Sequence, residues 1–393
     1  MQDFTFSLPT VCVFGREPGK ALKKQLAGRA KKVLFHYGEG SIKKNGVYDM
    51  VVKTLGELDI PYIELGGVQP NPRVSLVREG IGLCRDNQLD FILAVGGGSV
   101  IDSAKGISAG VNYSGDVWDM YSGKAETPAD RRHYVPVGVV LTIPAAGSEA
   151  SGGSVVSNDE GHMKRYIDTE FIKPVFSILN PEYTFSLPPY QVACGCSDIM
   201  AHMFERYFTK EKEVDVTDRL LEANMRSVIH YSKLAQDFPD DYSIKAELMW
   251  AGTIAHNDML ASGRIEDWGS HDIEHELSGI YDIYHGEGLS IVFPAWIRYC
   301  WKEEPARFVQ FFRRVFDVDY AMGQHERVIG EGLRRLEDYY KSIGLPVRLS
   351  EVNIGTDRLR EMAEKCVADR GGTVGHLRKL TADDIYNIYL LAL

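Results

Sequence analysis

Apolar positions recur with two different periods along the first half of the chain. "KKVLFHYGEG" and "DFILAVGGGS" are short apolar runs that end in glycine, as strands buried on both faces do. "VYDMVVKTLGEL" and "RVSLVREGIGLCRDNQ" instead repeat their apolar positions at three- and four-residue steps, the period of an amphipathic helix. "PYIELGG" between them reads as a further strand. Strand and helix patterns in alternation predict a doubly wound, parallel α/β layer.

The texture changes from about Pro181. "NPEYTFSLPPYQ" breaks the alternation with three prolines, and the chain beyond it, from "CGCSDIMAHMFERYF" to "TADDIYNIYLLAL", carries helical periodicity and almost no strand signal. The pattern predicts an α/β Rossmann-like domain over residues 1–185 and an all-α domain over 186–393. Neither an internal repeat nor a low-complexity tract interrupts them.

Composition narrows the class. The 393 residues, 44% hydrophobic and 25% charged, suffice for two globular cores. A net charge of −11 provides no basic field for a phosphate backbone, which argues against nucleic acid as a partner. No stretch approaches the roughly 18 to 20 apolar residues of a membrane span, and the opening "MQDFTFSLPTVCVFG" lacks the basic and apolar regions of a signal peptide. A cytoplasmic protein without a membrane partner is expected. The six scattered cysteines read as reduced thiols, with Cys194 and Cys196 spaced too closely for the usual zinc pair.

Two loops bear on chemistry. In "AVGGGSVIDSAKGISAG" (94–110) a strand runs through Gly96, Gly97, Gly98 and Ser99 into a helix, whose free N–H groups and dipole suit a pyrophosphate. The pattern is not GxGxxG, and a tight turn alone would also use these glycines. "LTIPAAGSEAS" (141–151) follows another apolar strand and offers Thr142, Ser148 and backbone amides. Two such loops on one sheet edge favour a nucleotide.

In the helical half, Asp198 and His202 stand four residues apart in "SDIMAHMFE", on one face of a helix. His271 and His275 repeat that spacing in "HDIEHELSGIYDIYHG", and His285 follows at "YHG", where the glycine suggests a helix end turning back towards the others. A carboxylate with imidazoles suits Fe²⁺ or Zn²⁺ better than Mg²⁺ or Ca²⁺. His36, His133, His162, His230, His256, His325 and His376 have no comparable partners in sequence and read as surface or core residues.

The order GGGSVID, G-S-E, D-x-x-x-H and H-x-x-x-H followed by H-G resembles the iron-containing (group III) alcohol dehydrogenase family, above all its butanol dehydrogenase branch. The likeness extends over essentially the whole chain, through "GVQPNPRVSLVREGI", "YTFSLP" and "RGGTVGHLRKLTADDIY". It implies an N-terminal NAD(P)-binding Rossmann-like domain, a helical domain holding one divalent metal, and substrate in the cleft between them, an architecture shared with dehydroquinate synthase. It further implies Asp198, His202, His271 and His285 as metal ligands, with His275 left beside the metal for proton transfer. Cofactor contacts are implied at Glu39, Ser41, Asn71, Gly97, Gly98 and Ser99, with Asp102, Thr142 and Lys164 as further candidates. One departure stands out: Ala146, after Ala145, occupies the position before G-S-E where the family usually has threonine.

The activity implied is reversible hydride transfer between NAD(P)H and a short-chain aldehyde or primary alcohol. Glu39 favours NAD(H), because a carboxylate there accepts bonds from the ribose hydroxyls and repels a 2′-phosphate, whereas NADP-preferring relatives tend to have glycine. The resemblance and the apolar opening segment, which could pair at a sheet edge, point to a homodimer; an edge strand within one chain is the alternative. Two other functions compete: a non-redox reaction of the dehydroquinate synthase type, which calls for several basic residues about the metal where only Arg206 lies near, and a metal or nucleotide sensor without catalysis.

Overall fold

The computed structural model describes residues 1–319 and 324–393. They form two compact units, each discontinuous in sequence. The α/β unit comprises Ser7–Leu187 with Asp240–Met249; the helical unit comprises Met1–Phe6, Pro188–Pro239 and Trp250–Leu393. The expected division after residue 185 treats the chain as two continuous pieces, whereas the opening hexapeptide belongs with the helices and a short later segment with the sheet.

The α/β unit runs β1 (Val11–Phe14), α1 (Pro18–Leu26), β2 (Val33–Gly38), α2 (Val47–Glu57), β3 (Tyr62–Val68), α3 (Val74–Asn87), β4 (Phe91–Gly96), α4 (Gly98–Gly110), α5 (Trp118–Tyr121), β5 (Val137–Leu141), β6 (Gly153–Asn158), β7 (Met163–Asp168) and β8 (Phe176–Leu179). Six strands make a parallel sheet in the order β1-β8-β5-β4-β2-β3. Alternate residues of each strand point to opposite faces. Val33, Phe35, Phe91, Leu93 and Val95 thus enter one core with α1 and α2. Leu34, Ile92 and Ala94 enter the other with α3 and α4. That two-sided burial is why the strands read as unbroken apolar runs.

The antiparallel hairpin β6–β7 was not anticipated from the sequence. "GSVVSN" and "MKRYID" are short and polar, without the apolar run that marks the other strands. The hairpin leans on α4. Asp102 accepts from Val155 N–H (3.1 Å) and from Ser148 Oγ (2.6 Å), while its carbonyl accepts from Ser154 Oγ (2.8 Å).

The helical unit is built from α6 (Pro189–Tyr207), α7 (Asp215–Asp237), α8 (Tyr242–Ala255, the α/β unit taking it up to Met249), α9 (Gly269–Tyr281), α10 (His285–Cys300), α11 (Pro305–Phe316), α12 (His325–Ser342), α13 (Leu359–Ala368) and α14 (Ala382–Leu391). Pro189 opens α6 at a position where no helical N–H is lost. Phe204, Phe208, Phe293, Trp296, Phe308 and Phe311 form an aromatic core, with Phe204 and Phe293 edge to face at 5.0 Å, and lock α6, α10 and α11 together. Among the described residues no helix is long and apolar enough to cross a membrane, and no disulfide joins the cysteines.

Candidate functional site

In the α/β unit the chain reverses its direction of winding at β2 and β4, which are neighbours: β3 follows on one side, β5 and β8 on the other. Ligands of such sheets bind outside the carboxyl ends of the strands at this point. The expected cofactor residues gather there. Glu39 and Ser41 follow β2 and are exposed. Gly97, Gly98 and Ser99 open α4 directly after β4. A Cβ on Gly97 would come within 3.0 Å of Ile143 Cβ, so the loop after β5 sits against the glycine turn. Thr142 is buried beside it, its N–H donating to Gly96 O at 3.0 Å. Ala146, the departure from the family pattern, lies where a Cβ on Gly98 would be 3.5 Å from its own.

The other candidates also make contacts within the fold. Asn71 is buried with φ +54° after β3, and its carbonyl accepts from Arg73 at 2.5 Å. Lys164 is buried on β7. Asp102 uses both carboxylate oxygens to hold the hairpin and the Ser148 loop. Sequence reasoning passed over Lys105, which is fully buried and donates to Ser148 Oγ (2.8 Å), Ser151 O (2.9 Å) and Gly153 O (2.7 Å). Its position three residues after Asp102, as the one basic residue of α4, was the available signal.

In the helical unit, α6, α9 and α10 bring the second set of residues together. Asp198 and His202 face inward one turn apart on α6; His271 lies in the first turn of α9. An oxygen of Asp198 and a nitrogen each of His202 and His271 lie within 4.8 Å of one another. His285 does not end α9, as its glycine suggested. Helix α9 stops at Tyr281, the chain turns through Asp282 at φ +52°, and His285 begins α10. Its Nε2 is 3.9 Å from Asp198 Oδ1, and its ring centroid is 5.4 Å from that of His271. His275, one turn along α9, is buried with its ring 5.4 Å from His285 and 6.5 Å from His271.

Each of three imidazoles is oriented from outside the cluster. His271 Nδ1 donates to Glu205 Oε1 at 2.6 Å, and Glu205 also accepts from Trp268 N–H (2.7 Å), Ser270 Oγ (2.6 Å) and His271 N–H (3.1 Å). His285 Nδ1 donates to Glu274, which Ser278 also holds. His202 Nδ1 shares a 2.6 Å hydrogen bond with His256 Nδ1. His256 thus has a partner that no sequence spacing disclosed; it comes from the end of α8, distant in sequence from both motifs.

With Nδ1 engaged, Nε2 is the nitrogen each ring offers. His271 Nε2 is buried without a hydrogen-bond partner. Asp198 Oδ1 has none either, although His202 Nε2 approaches it to 3.2 Å. Burial holds His202 well below its usual pKa, and burial with the charge of His285 lowers His271 to about 3, so both rings are neutral and offer lone pairs. Burial pushes Glu205 up to about 7. One carboxylate oxygen and convergent imidazole nitrogens, braced by carboxylates behind them, fit a divalent iron or zinc ion. Cys194 and Cys196 are buried on α6 and belong neither to the Asp198, His202 and His271 group nor to the second group of potential ligands, Glu274, His275 and His285.

Arg206, the basic residue nearest to the motif, is buried and committed: Nη1 donates to His202 O (2.8 Å), Nε pairs with Glu266 (2.9 Å), and the guanidinium lies 5.1 Å from the Trp268 ring centre. It offers no surface to a phosphorylated sugar acid.

The sheet edge of the α/β unit is of the nucleotide-binding kind and the aspartate–histidine cluster of the helical unit fits a divalent metal; comparison with known proteins identifies the class as a metal-dependent oxidoreductase. The family model described as iron-containing alcohol dehydrogenase matches residues 9–181, and that for the Fe-containing alcohol dehydrogenase family, C-terminal, matches residues 192–393. NADH-dependent butanol dehydrogenase A of Clostridium acetobutylicum is 40% identical over 390 residues, 99% of each chain. NADPH-dependent aldehyde reductase YqhD of Escherichia coli is 32% identical, again over 99% of each. Among solved structures, NADH-dependent butanol dehydrogenase A of Thermotoga maritima superposes with a TM-score of 0.94 at 36% identity, covering 100% of this chain and 99% of that one. The chain belongs to the iron-containing alcohol dehydrogenase family, and it is an NAD(P)-dependent oxidoreductase.

Proposed function

We propose that this enzyme interconverts short-chain aldehydes and primary alcohols with NAD(H), holding one Fe²⁺ or Zn²⁺ ion on Asp198, His202, His271 and His285. The observation that carries this reading is that Asp198 and His271, with Oδ1 and Nε2 buried and without hydrogen-bond partners, fall in one group of potential ligands with His202, and that His285 Nε2 approaches Asp198 Oδ1 to 3.9 Å. When bound, the ion supplies a Lewis acid to the substrate oxygen and the nicotinamide supplies or accepts the hydride. The chain supplies position. Glu205 and Glu274 fix the rings of His271 and His285 in the tautomer that points Nε2 inward. His275, one helical turn from His271, gives a proton to the substrate oxygen during reduction and takes it back during oxidation, work suited to an imidazole. Metal analysis of the purified enzyme, alongside activity with NADH and NADPH over a short aldehyde series that includes butyraldehyde, tests the reading. A preparation that is active yet free of bound iron and zinc overturns it.

The preference for NAD(H) rests on Glu39, exposed after β2 at the reversal point of the sheet. There its carboxylate accepts from ribose hydroxyls and repels a 2′-phosphate. Glu39→Gly is expected to raise kcat/KM for NADPH relative to NADH by about tenfold, equivalent to ~1.4 kcal/mol. A wild type that already prefers NADPH, with a ratio unmoved by the substitution, removes the assignment.

A homodimer follows from the edge of the sheet. Among the described residues β1 pairs only with β8; Val11 and Phe14 on it are exposed, as are Phe4, Phe6 and Leu8 before it. A sheet edge with exposed apolar residues is a template for a second copy. Light scattering at micromolar concentration is expected to give twice the chain mass; the mass of one chain excludes the dimer. With its cysteines unbridged, the enzyme is assigned to the cytoplasm.

A further inference from the structure

From the 2.6 Å contact between His202 Nδ1 and His256 Nδ1, we infer that His256 is a positioning residue that sets the tautomer of His202 and thereby tunes the affinity of the metal site. The inference rests on the ligand set proposed above. The other two braced imidazoles, His271 and His285, donate from Nδ1 to carboxylates, Glu205 and Glu274. His202 has no carboxylate at its Nδ1; it has a second imidazole, half-buried just beyond the end of α8, with the ring planes at 86° and the centroids 4.1 Å apart.

A hydrogen bond between two imidazole nitrogens uses one N–H and one lone pair. For His202 to offer its Nε2 lone pair, the neutral ring must carry its hydrogen on Nδ1. His256 is then the acceptor at Nδ1 and carries its own hydrogen on Nε2. The opposite arrangement puts the hydrogen on His202 Nε2, 3.2 Å from Asp198 Oδ1, and leaves that nitrogen no lone pair for a metal. The metal-ready tautomer is therefore the one in which His202 donates and His256 accepts. Trp268 fixes the pair from the side, its ring 5.5 Å from His202 and 5.6 Å from His256, and is itself held by Glu205 through its N–H and by Glu266 through Nε1. Two of the three braces thus meet at one residue, the one that opens α9.

The test compares Zn²⁺ affinity, by chelator competition on metal-free protein, for the wild type, His256→Leu and His256→Asn. Leucine keeps bulk against Trp268 but accepts nothing; the Asn side-chain oxygen stands close to where Nδ1 stood. His256→Leu is expected to bind Zn²⁺ roughly 10- to 100-fold more weakly, the usual effect of losing a residue that orients a ligand, and His256→Asn to recover most of the loss. Metal-free melting temperatures check that the loss is not one of folding, and His256→Ala replaces the leucine variant if that fails to fold. With Co²⁺ bound, the visible spectrum of His256→Leu should keep the wild-type ligand number. Unchanged Zn²⁺ affinity in His256→Leu, no recovery in His256→Asn, or a lost ligand in the Co²⁺ spectrum each overturns the inference. Wild-type protein with no affinity for Zn²⁺, Fe²⁺ or Co²⁺ instead removes the ligand set beneath it.

Discussion

His271→Ala and His285→Ala are expected to lose bound metal and hydride transfer together, whereas His275→Ala is expected to keep metal and lose turnover. The first two substitutions remove proposed ligand nitrogens, and each takes one donor from a buried carboxylate: Glu205, which keeps Trp268 N–H, Ser270 Oγ and His271 N–H, and Glu274, which keeps Ser278 Oγ. Losing one hydrogen bond to a charged group costs about 1.5–3 kcal/mol, so these variants should also melt at lower temperature than the wild type. His275 differs in kind. Removing a positioned acid–base group costs on the order of 10²–10⁴-fold in rate without any demand on metal affinity. Metal content by atomic emission and kcat for butyraldehyde reduction, measured on the same three preparations, separate the roles. Stoichiometric metal in the first two variants, or metal lost from His275→Ala, reassigns the ligands.

The sequence disclosed the site where function and local spacing coincide. Asp198 with His202, and His271 with His275, sit at the four-residue interval of one helix face, so α6 and α9 need only form for each pair to face the same way. What joins those faces is tertiary. Glu205 lies seven residues after Asp198 on α6, on the same side of the helix, and reaches His271 across 66 residues of chain; nothing local marks it as a brace. His256 has no partner at a helical spacing in the sequence, so it too is unmarked there. The turn at "DIYHG" misled in its detail because glycine commonly ends helices, whereas Gly286 stands in the first turn of α10. In the α/β unit the buried strands announced themselves through two-sided apolar runs, but the β6–β7 hairpin depends on contacts with α4, through Asp102 and Lys105, that only the folded chain supplies.

Gly286→Ala is expected to damage stability and metal binding at once, although it adds a single methyl group and removes no ligand. A Cβ at this position would lie 1.9 Å from Cys194 O and 2.6 Å from Cys194 C. These are backbone atoms in the second turn of α6, held by the helix, so the neighbour has no rotamer by which to yield. Either α10 moves away from α6 or the clash stands. Overpacking of this kind costs roughly 3 kcal/mol, the upper end of its usual range, which for a unit of this size lowers Tm by roughly 6–12 °C. The movement is the functional part. His285 precedes the glycine and opens the same helix, while Asp198 sits one turn beyond Cys194 on the opposing one, so separating α10 from α6 separates Nε2 of His285 from the Asp198 oxygen that now stands 3.9 Å away. A misplacement of about 1 Å in such a constellation lowers rate on the order of 10²-fold. Gly330→Ala in α12 is the control: its Cβ would meet nothing within 4 Å, so it should leave metal content and kcat unchanged and raise stability by about 0.5–1 kcal/mol, as alanine does at an open helical position. Calorimetry, metal analysis and kcat on the two variants decide the matter. A Gly286→Ala enzyme with wild-type Tm and full metal would mean that the close approach of α10 to α6 does not set the position of His285.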